Sequence, residues 1–272
     1  MREFASPVLA PPCFTAWLIL KIGPISLNGS SAFMLPGMSV SMWLKSKNNF
    51  MKNKLITLIA LLGLSINVAS AEAPVVNGNM GTKYSSDYHR RGQLVSQEAI
   101  QAQVGFNVDF GVVDLFGDFF TNQSTASNSS DNDELTVGLG TSMLNDKLNA
   151  YVGVYNTDNS SAGDNLEAFA SLGVDTLLSP SVSVYRDTDD SLYTFEGQVS
   201  YGVDLDVVNL ELAGILGNTD LTETNDSTYY GAKLTATKTI KDNVDLYADV
   251  SLSDNDVREN ETLWGVGLSI KF

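Results

Sequence analysis

At 272 residues the chain has room for one large domain or two small ones. One Cys and one His cannot build a zinc module or a disulfide framework, and 32 acidic against 16 basic residues argue against nucleic acid, which needs a basic patch. No apolar run of about 20 residues follows position 71, which excludes a helical membrane bundle.

Residues 1–50 hold five of the seven prolines (Pro7, Pro11, Pro12, Pro24, Pro36), Cys13, Trp17 and Trp43, and show no sustained period. Met51 then opens a second N-terminus. Lys52 and Lys54, the apolar run Leu55 to Val68, and Ala69-Ser70-Ala71 form the charged region, apolar core and A-x-A site of a secretory signal peptide. At about 14 residues the run is too short for a bilayer anchor. The expectation is that residues 1–50 are a mis-called upstream extension without a fold. Residues 51–71 would be the cleaved signal peptide and 72–272 the exported domain.

Of the 16 basic residues six precede Glu72, and of the 32 acidic ones only Glu3 does, which leaves 10 against 31 and a net charge of −21. After Pro74 the only proline is Pro180, so continuous sheet is permitted. The domain has no Cys and must be held by strand pairing.

Alternation of apolar and polar residues recurs in twelve segments. They are 80–88, 98–110, 114–122, 134–143, 148–156, 165–177, 181–187, 192–205, 207–217, 227–240, 243–252 and 262–272. In the second, Ile100, Ala102, Val104, Phe106 and Val108 alternate with Gln101, Gln103, Gly105 and Asn107. In the eleventh, Val244, Leu246, Ala248 and Val250 alternate with Asp245, Tyr247 and Asp249. The twelfth sets Trp264, Val266, Leu268, Ile270 and Phe272 against Gly265, Gly267, Ser269 and Lys271. Connections near 111–113, 144–147, 178–180, 205–206 and 241–242 are tight, with Asn145-Asp146 and Asp242-Asn243 as turn residues. Those near 89–97, 123–133, 157–164, 187–191, 218–226 and 253–261 read as mostly longer polar loops. An even count of alternating strands, with short turns at one end and polar loops at the other, describes an all-β fold. It is an antiparallel up-and-down transmembrane β-barrel of twelve strands, with both termini on the periplasmic side.

Soluble sandwiches and lipocalin-like barrels also alternate. Their apolar face packs a core, whereas here aromatics gather toward the strand ends as a girdle would. A last strand with apolar residues at every second position from Trp264 to a terminal Phe272 looks like the signal read by the barrel assembly machinery.

Lys83-Tyr84-Ser85-Ser86-Asp87-Tyr88, then Arg91-Gly92, then Ala99-Ile100-Gln101-Ala102 and Gly105-Phe106, resemble the opening of the TorF-type outer-membrane porin family over about thirty residues. The chain departs from that pattern at His89 and Arg90, and at Gln93-Leu94-Val95-Ser96-Gln97. The resemblance implies a porin in the outer membrane of a Gram-negative bacterium, with Ser86, Asp87, Tyr88, Arg91 and Gly92 as the family-like motif.

The lone His89 is expected on a solvated rim, and no second His or Cys completes a metal site. Asp187-Thr188-Asp189 begins like a calcium loop, but Leu192 stands where its glycine belongs. The bland reading is a hydrated loop surface; the functional one is weak binding of divalent cations that bridge the loops to lipopolysaccharide. No motif of the phospholipase or protease barrels is present, so neither an enzyme nor a cofactor is expected.

Setting the large apolar residues toward lipid turns Asp87, Asp109, Asp118, Glu134, Glu167, Asp175, Glu196, Asp204, Glu211, Asp245 and Asp249 to the lumen. Only Lys83, Lys233 and Lys271 join them. That predicts a passive, cation-preferring pore for small hydrophilic solutes, with lipid, lipopolysaccharide and the assembly machinery as partners. The alternative is a non-conducting structural or adhesion barrel, because twelve strands fall between filled and open barrels. Inward Phe116, Phe120, Phe169, Tyr151, Tyr155 and Tyr247 would be the plug.

Overall fold

The computed structural model describes residues 74–127, 129–222, 225–256 and 258–272. The proposed extension and signal peptide lie outside them.

Twelve strands follow one another: β1 (Val75–Arg90), β2 (Gln93–Asp109), β3 (Asp114–Ser124), β4 (Asn132–Met143), β5 (Leu148–Asn159), β6 (Gly163–Val174), β7 (Ser181–Asp187), β8 (Tyr193–Leu205), β9 (Val208–Thr222), β10 (Asn225–Lys241), β11 (Val244–Asn255) and β12 (Arg258–Lys271). Each pairs antiparallel with its sequence neighbours. The sheet closes where β1 meets β12, from Asn79 opposite Lys271 to Ser85 opposite Gly265.

The period of two becomes two faces. On β12, Leu263 is 6% exposed while Trp264 is 50% exposed, and Val266, Leu268, Ile270 and Phe272 are all outside. On β2, Ile100, Val104 and Phe106 are exposed while Gln101 and Gln103 are buried. Tyr84 and Trp264 touch on the outer face with ring centroids 5.6 Å apart. The exterior is therefore an apolar belt, and the polar residues fill the interior.

Turns at the end that carries the termini are tight, as their residues predict. Leu144, Asn145 and Asp146 all take left-handed backbone angles (φ 57, 60 and 63°), which short polar side chains tolerate best. The opposite end corrects the sequence reading. The loops expected at 157–164, 218–226 and 253–261 are largely strand, since β5 runs to Asn159, β9 to Thr222, β10 starts at Asn225 and β11 runs to Asn255. The largest correction falls on 89–97, which is not a loop. Arg90 pairs with Gln93, and only Arg91 and Gly92 make the turn. Their φ values of 51° and 73° are the double left-handed signature of a two-residue hairpin.

That hairpin outgrows its neighbours. β1 leaves β12 after Ser85, and β2 meets β3 only from Ala99 onward. Between these points the strand ladder runs within the hairpin, from Asp87 opposite Gln97 to Arg90 opposite Gln93, and the register slips between Tyr88 and His89. Glu98, at φ 46°, bends the second arm, and its carbonyl oxygen accepts hydrogen bonds from the Thr125 N–H and hydroxyl at 2.7 and 2.6 Å. With the ladders to β12 and β3 ended and a bend at its base, the hairpin leans inward.

Candidate functional site

The interior divides into two halves. On β3, β5, β6 and β7, inward positions carry Phe116, Tyr151, Tyr155, Phe169 and Tyr185, all buried in one cluster. Phe116 meets Tyr151 edge-on at 5.8 Å and Phe169 at 6.4 Å, and Phe169 meets Tyr185 at 5.9 Å, separations at which rings attract. Gly153 makes room for them. A Cβ there would strike the Val137 carbonyl oxygen and lie 2.8 Å from the Phe169 ring. This half is filled like a protein core.

The other half is polar and charged. Lys83 on β1 reaches Asp249 on β11 at 2.8 Å, and Lys271 on β12 reaches Asp245 at 2.8 Å. The Thr239 hydroxyl also donates to Asp245 at 2.7 Å. Gln103 donates to Asp118 at 2.7 Å, and the Tyr229 hydroxyl to Glu196 at 2.7 Å. Lys233 is buried on β10, two residues before the Thr235 that pairs with Glu211 and so on the same face. Burying a carboxylate is costly unless it is paired or hydrogen-bonded, and these contacts meet that cost.

The leaning hairpin crosses from one half to the other. At its tip the Arg91 guanidinium grips Glu167 on β6 with two bonds, Nη1 to Oε1 at 2.7 Å and Nη2 to Oε2 at 2.6 Å. Its carbon lies 4.3 Å from the centre of the Tyr185 ring. Arg90 sits 5.5 Å from the centre of the Tyr155 ring. Tyr88 donates to Glu134 on β4 at 2.5 Å and packs against Phe120. Toward the polar half, His89 Nε2 meets Glu261 on β12 at 2.6 Å, and its Nδ1 lies 3.2 Å from the Ser253 hydroxyl. Asn255 Nδ2 donates to the Gly92 carbonyl oxygen at 2.5 Å.

A left-handed backbone costs a non-glycine residue such as Arg91 roughly 1–2 kcal/mol. The Glu167 grip holds Arg91 there, because releasing it would leave a buried charge unpaired at a cost of about 3–5 kcal/mol, more than the strain. Ser253, His89 and Glu261 stand in the order of a hydrolase relay. Such a relay needs a buried orienting acid, and the Glu261 side chain is 39% exposed. The imidazole instead fastens the hairpin to the wall.

Asp118, Glu167, Glu196, Glu211, Asp245, Asp249 and Lys233 thus occupy inward positions. Of the family-like motif, the Ser86 hydroxyl accepts the Trp264 N–H at 3.1 Å, Asp87 pairs with Gln97, and Tyr88, Arg91 and Gly92 belong to the inward hairpin. Two expectations are corrected. His89 is no solvated rim residue, since its side chain is 8% exposed and tied to Glu261. Asp175 follows the end of β6 in an exposed turn, because the polar backbone of residues 175–180 closes on itself there.

The sequence reading missed Arg90, Arg91 and Glu261 as interior charges. The clue was Arg91-Gly92, a turn dipeptide followed at once by the strand-forming Leu94 and Val95. The loop acids have local uses. Asp187 accepts the N–H groups of Asp189 and Asp190 at 2.7 and 2.9 Å, and Asp254 accepts from Tyr230. Asp256, in the turn after β11, takes the Ser227 hydroxyl at 2.6 Å and the Thr228 N–H at 3.2 Å, which holds its carboxyl below the ordinary value.

No protein-family model matches the chain, and no curated protein is similar to it. Among solved structures the KdgM porin aligns at 14% identity over 72% of this chain and 99% of its own, with a TM-score of 0.47. An outer membrane channel from Pseudomonas putida F1 aligns at 12% identity over 75% and 98%, with a TM-score of 0.48. The outer membrane phospholipase A from Escherichia coli aligns at 14% identity over 78% and 96%, with a TM-score of 0.45. These neighbours include channels and an enzyme. At such values the likeness adds nothing to what the barrel's own geometry shows.

Proposed function

We propose that the chain is an outer-membrane barrel through whose polar half small hydrophilic solutes diffuse passively, cations in preference to anions. The observation that carries this reading is a closed barrel with an apolar belt outside and a charged, hydrogen-bonded wall inside. An apolar exterior of this extent has no aqueous purpose, whereas a bilayer requires it. The strands of β12 and its neighbours are long enough for a span of about 9–11 residues. The outward row from Trp264 to Phe272 supports delivery by the barrel assembly machinery, and the likeness to TorF-type porins over the opening segment agrees with it. Bilayer lipid and lipopolysaccharide would be the standing partners, with export through the signal peptide.

The preference is smaller than the sequence alone suggests. Among the described residues Asp87, Asp118, Glu134, Glu167, Glu196, Glu211, Asp245, Asp249 and Glu261 face the interior, against Lys83, Lys233, Lys271, Arg90 and Arg91. The excess is four charges, and low-dielectric walls focus the field of that excess on a narrow passage.

The aromatic cluster favours a second reading, a non-conducting barrel whose far loops bind a partner. Unitary conductance in planar bilayers separates the two: steps in potassium chloride support the pore, and a silent, folded barrel supports the alternative.

A further inference from the structure

We infer that the β1–β2 hairpin tip, His89 to Gly92, is a strap held across the lumen that sets the width and charge of the passage, with Arg91 as its selectivity-determining residue. This rests on the pore reading and deepens it. The strap is anchored on both sides. On the aromatic side Arg91 is held by two charge-assisted bonds to Glu167 and by the Tyr185 ring, with Tyr88 on Glu134 beside it. These tie the strap to a wall that is already filled, so that side is shut.

On the polar side His89 meets Glu261 and Ser253, Asn255 donates to the Gly92 carbonyl, and Gly92 lies close against Tyr229. A recess opens beside the strap, with Lys83, Asp87, Lys233 and Asp249 on the polar wall and Tyr88 and Phe120 at its aromatic edge. A solute entering from the loop end must pass it. The strap brings Arg90 and Arg91 into a lumen otherwise dominated by carboxylates, and so limits the cation preference of its own pore. The β-ladders to β12 and β3 stop at Ser85 and Ala99, so beyond its base the hairpin is held to the wall by side-chain contacts and can swing out when these are cut.

Two readouts test the strap, both on the full barrel. In detergent micelles trypsin should cut after Lys147, in an exposed turn, but spare the bonds after Arg90 and Arg91, as mass spectrometry of the fragments would show. In the release variant Glu167→Gln with Asn255→Ala, that protection should be lost. In planar bilayers the release variant should conduct more per channel than the wild type. Arg91→Gln, which alters no wall residue, should shift the reversal potential further toward that of potassium. Wild-type cleavage after Arg91 as fast as after Lys147 overturns the strap. So does equal conductance with an unshifted reversal potential, and in that case the pore reading stands. A silent wild type with a conducting release variant supports the strap as a closed gate. Silence of both, with the strap demonstrably released, overturns the pore reading and the strap's role with it.

Discussion

Arg91 and Glu167 are 76 residues apart in sequence, on the hairpin tip and on β6, yet they meet through two parallel bonds of 2.7 and 2.6 Å. Both side chains are under 10% exposed. Fork-to-carboxylate geometry of this kind fixes direction as well as distance. Removing one partner strands a buried charge, which costs about 3–5 kcal/mol, more than the pair contributes as a whole. Glu167→Ala and Arg91→Ala should each destabilise the barrel strongly, and the double variant should cost clearly less than their sum. Urea unfolding in lipid vesicles measures this cycle. Additive losses would show that the pair is not coupled.

Gly153 tests the packing of the aromatic half. Its added Cβ meets fixed backbone at Val137 and Gly138 as well as the Phe169 ring, so Gly153→Ala forces strands β4 and β5 apart. Overpacking of this kind costs about 1–3 kcal/mol. Gly197 is the control, because a Cβ there meets only the Leu216 carbonyl oxygen, at 3.9 Å. On heat-modifiability gels Gly153→Ala should lose folded protein while Gly197→Ala keeps it. Equal folding of the two would contradict the filled interior.

Asp256 gives a prediction about pH. Its carboxyl is held below the ordinary value, chiefly by the Ser227 hydroxyl and then by the Thr228 N–H. A depressed folded value stabilises the folded state above the unfolded pKa of about 3.9, and that stabilisation fades as pH falls through the folded value. Acidification should therefore loosen the link between the turn after β11 and the start of β10. Ser227→Ala should raise the Asp256 titration midpoint in a carboxyl-resolved NMR experiment. An unmoved midpoint would show that the hydroxyl does not hold it.

Topology is open to proteolysis. A protease of broad specificity added outside intact cells should nick the connection between β3 and β4, whose described residues 125–127 and 129–131 lie outside both strands and are mostly small and polar. The turns at 144–147 and 242–243 should survive in intact cells, because the proposed orientation puts them on the periplasmic side. The earlier expectation for 218–226 narrows, since strand pairing covers all but the connection between Thr222 and Asn225. Cleavage at the short turns in intact cells would invert the orientation.

The strands were legible because lipid enforces alternation on every residue of the belt. The segment read as 181–187 is β7 as it stands, and 134–143 falls two residues short of β4. Beyond the belt that enforcement ends. Asn218, Asp220 and Thr222 on one face and Thr219 on the other continue β9 with polar side chains, and their composition reads as loop. Period alone therefore found the membrane-facing height of the barrel and missed the height above it. The interior was legible in kind, as inward polar and aromatic positions, but not in pairing. Nothing in the spacing of Arg91 and Glu167 announces their contact, which depends on a hairpin leaving its neighbours and leaning inward. The acid count misled for the same reason, because it omitted cations that arrive from a turn.

The reversal potential of the refolded wild type in a potassium chloride gradient tests the central claim most directly. The account predicts unitary steps whose reversal lies on the potassium side of zero, moving toward zero as salt raises screening and shortens the Debye length below about 10 Å. Neutralising Glu196→Gln together with Asp118→Asn should move it the same way. An anion-side reversal, or a folded barrel that never conducts, would contradict it.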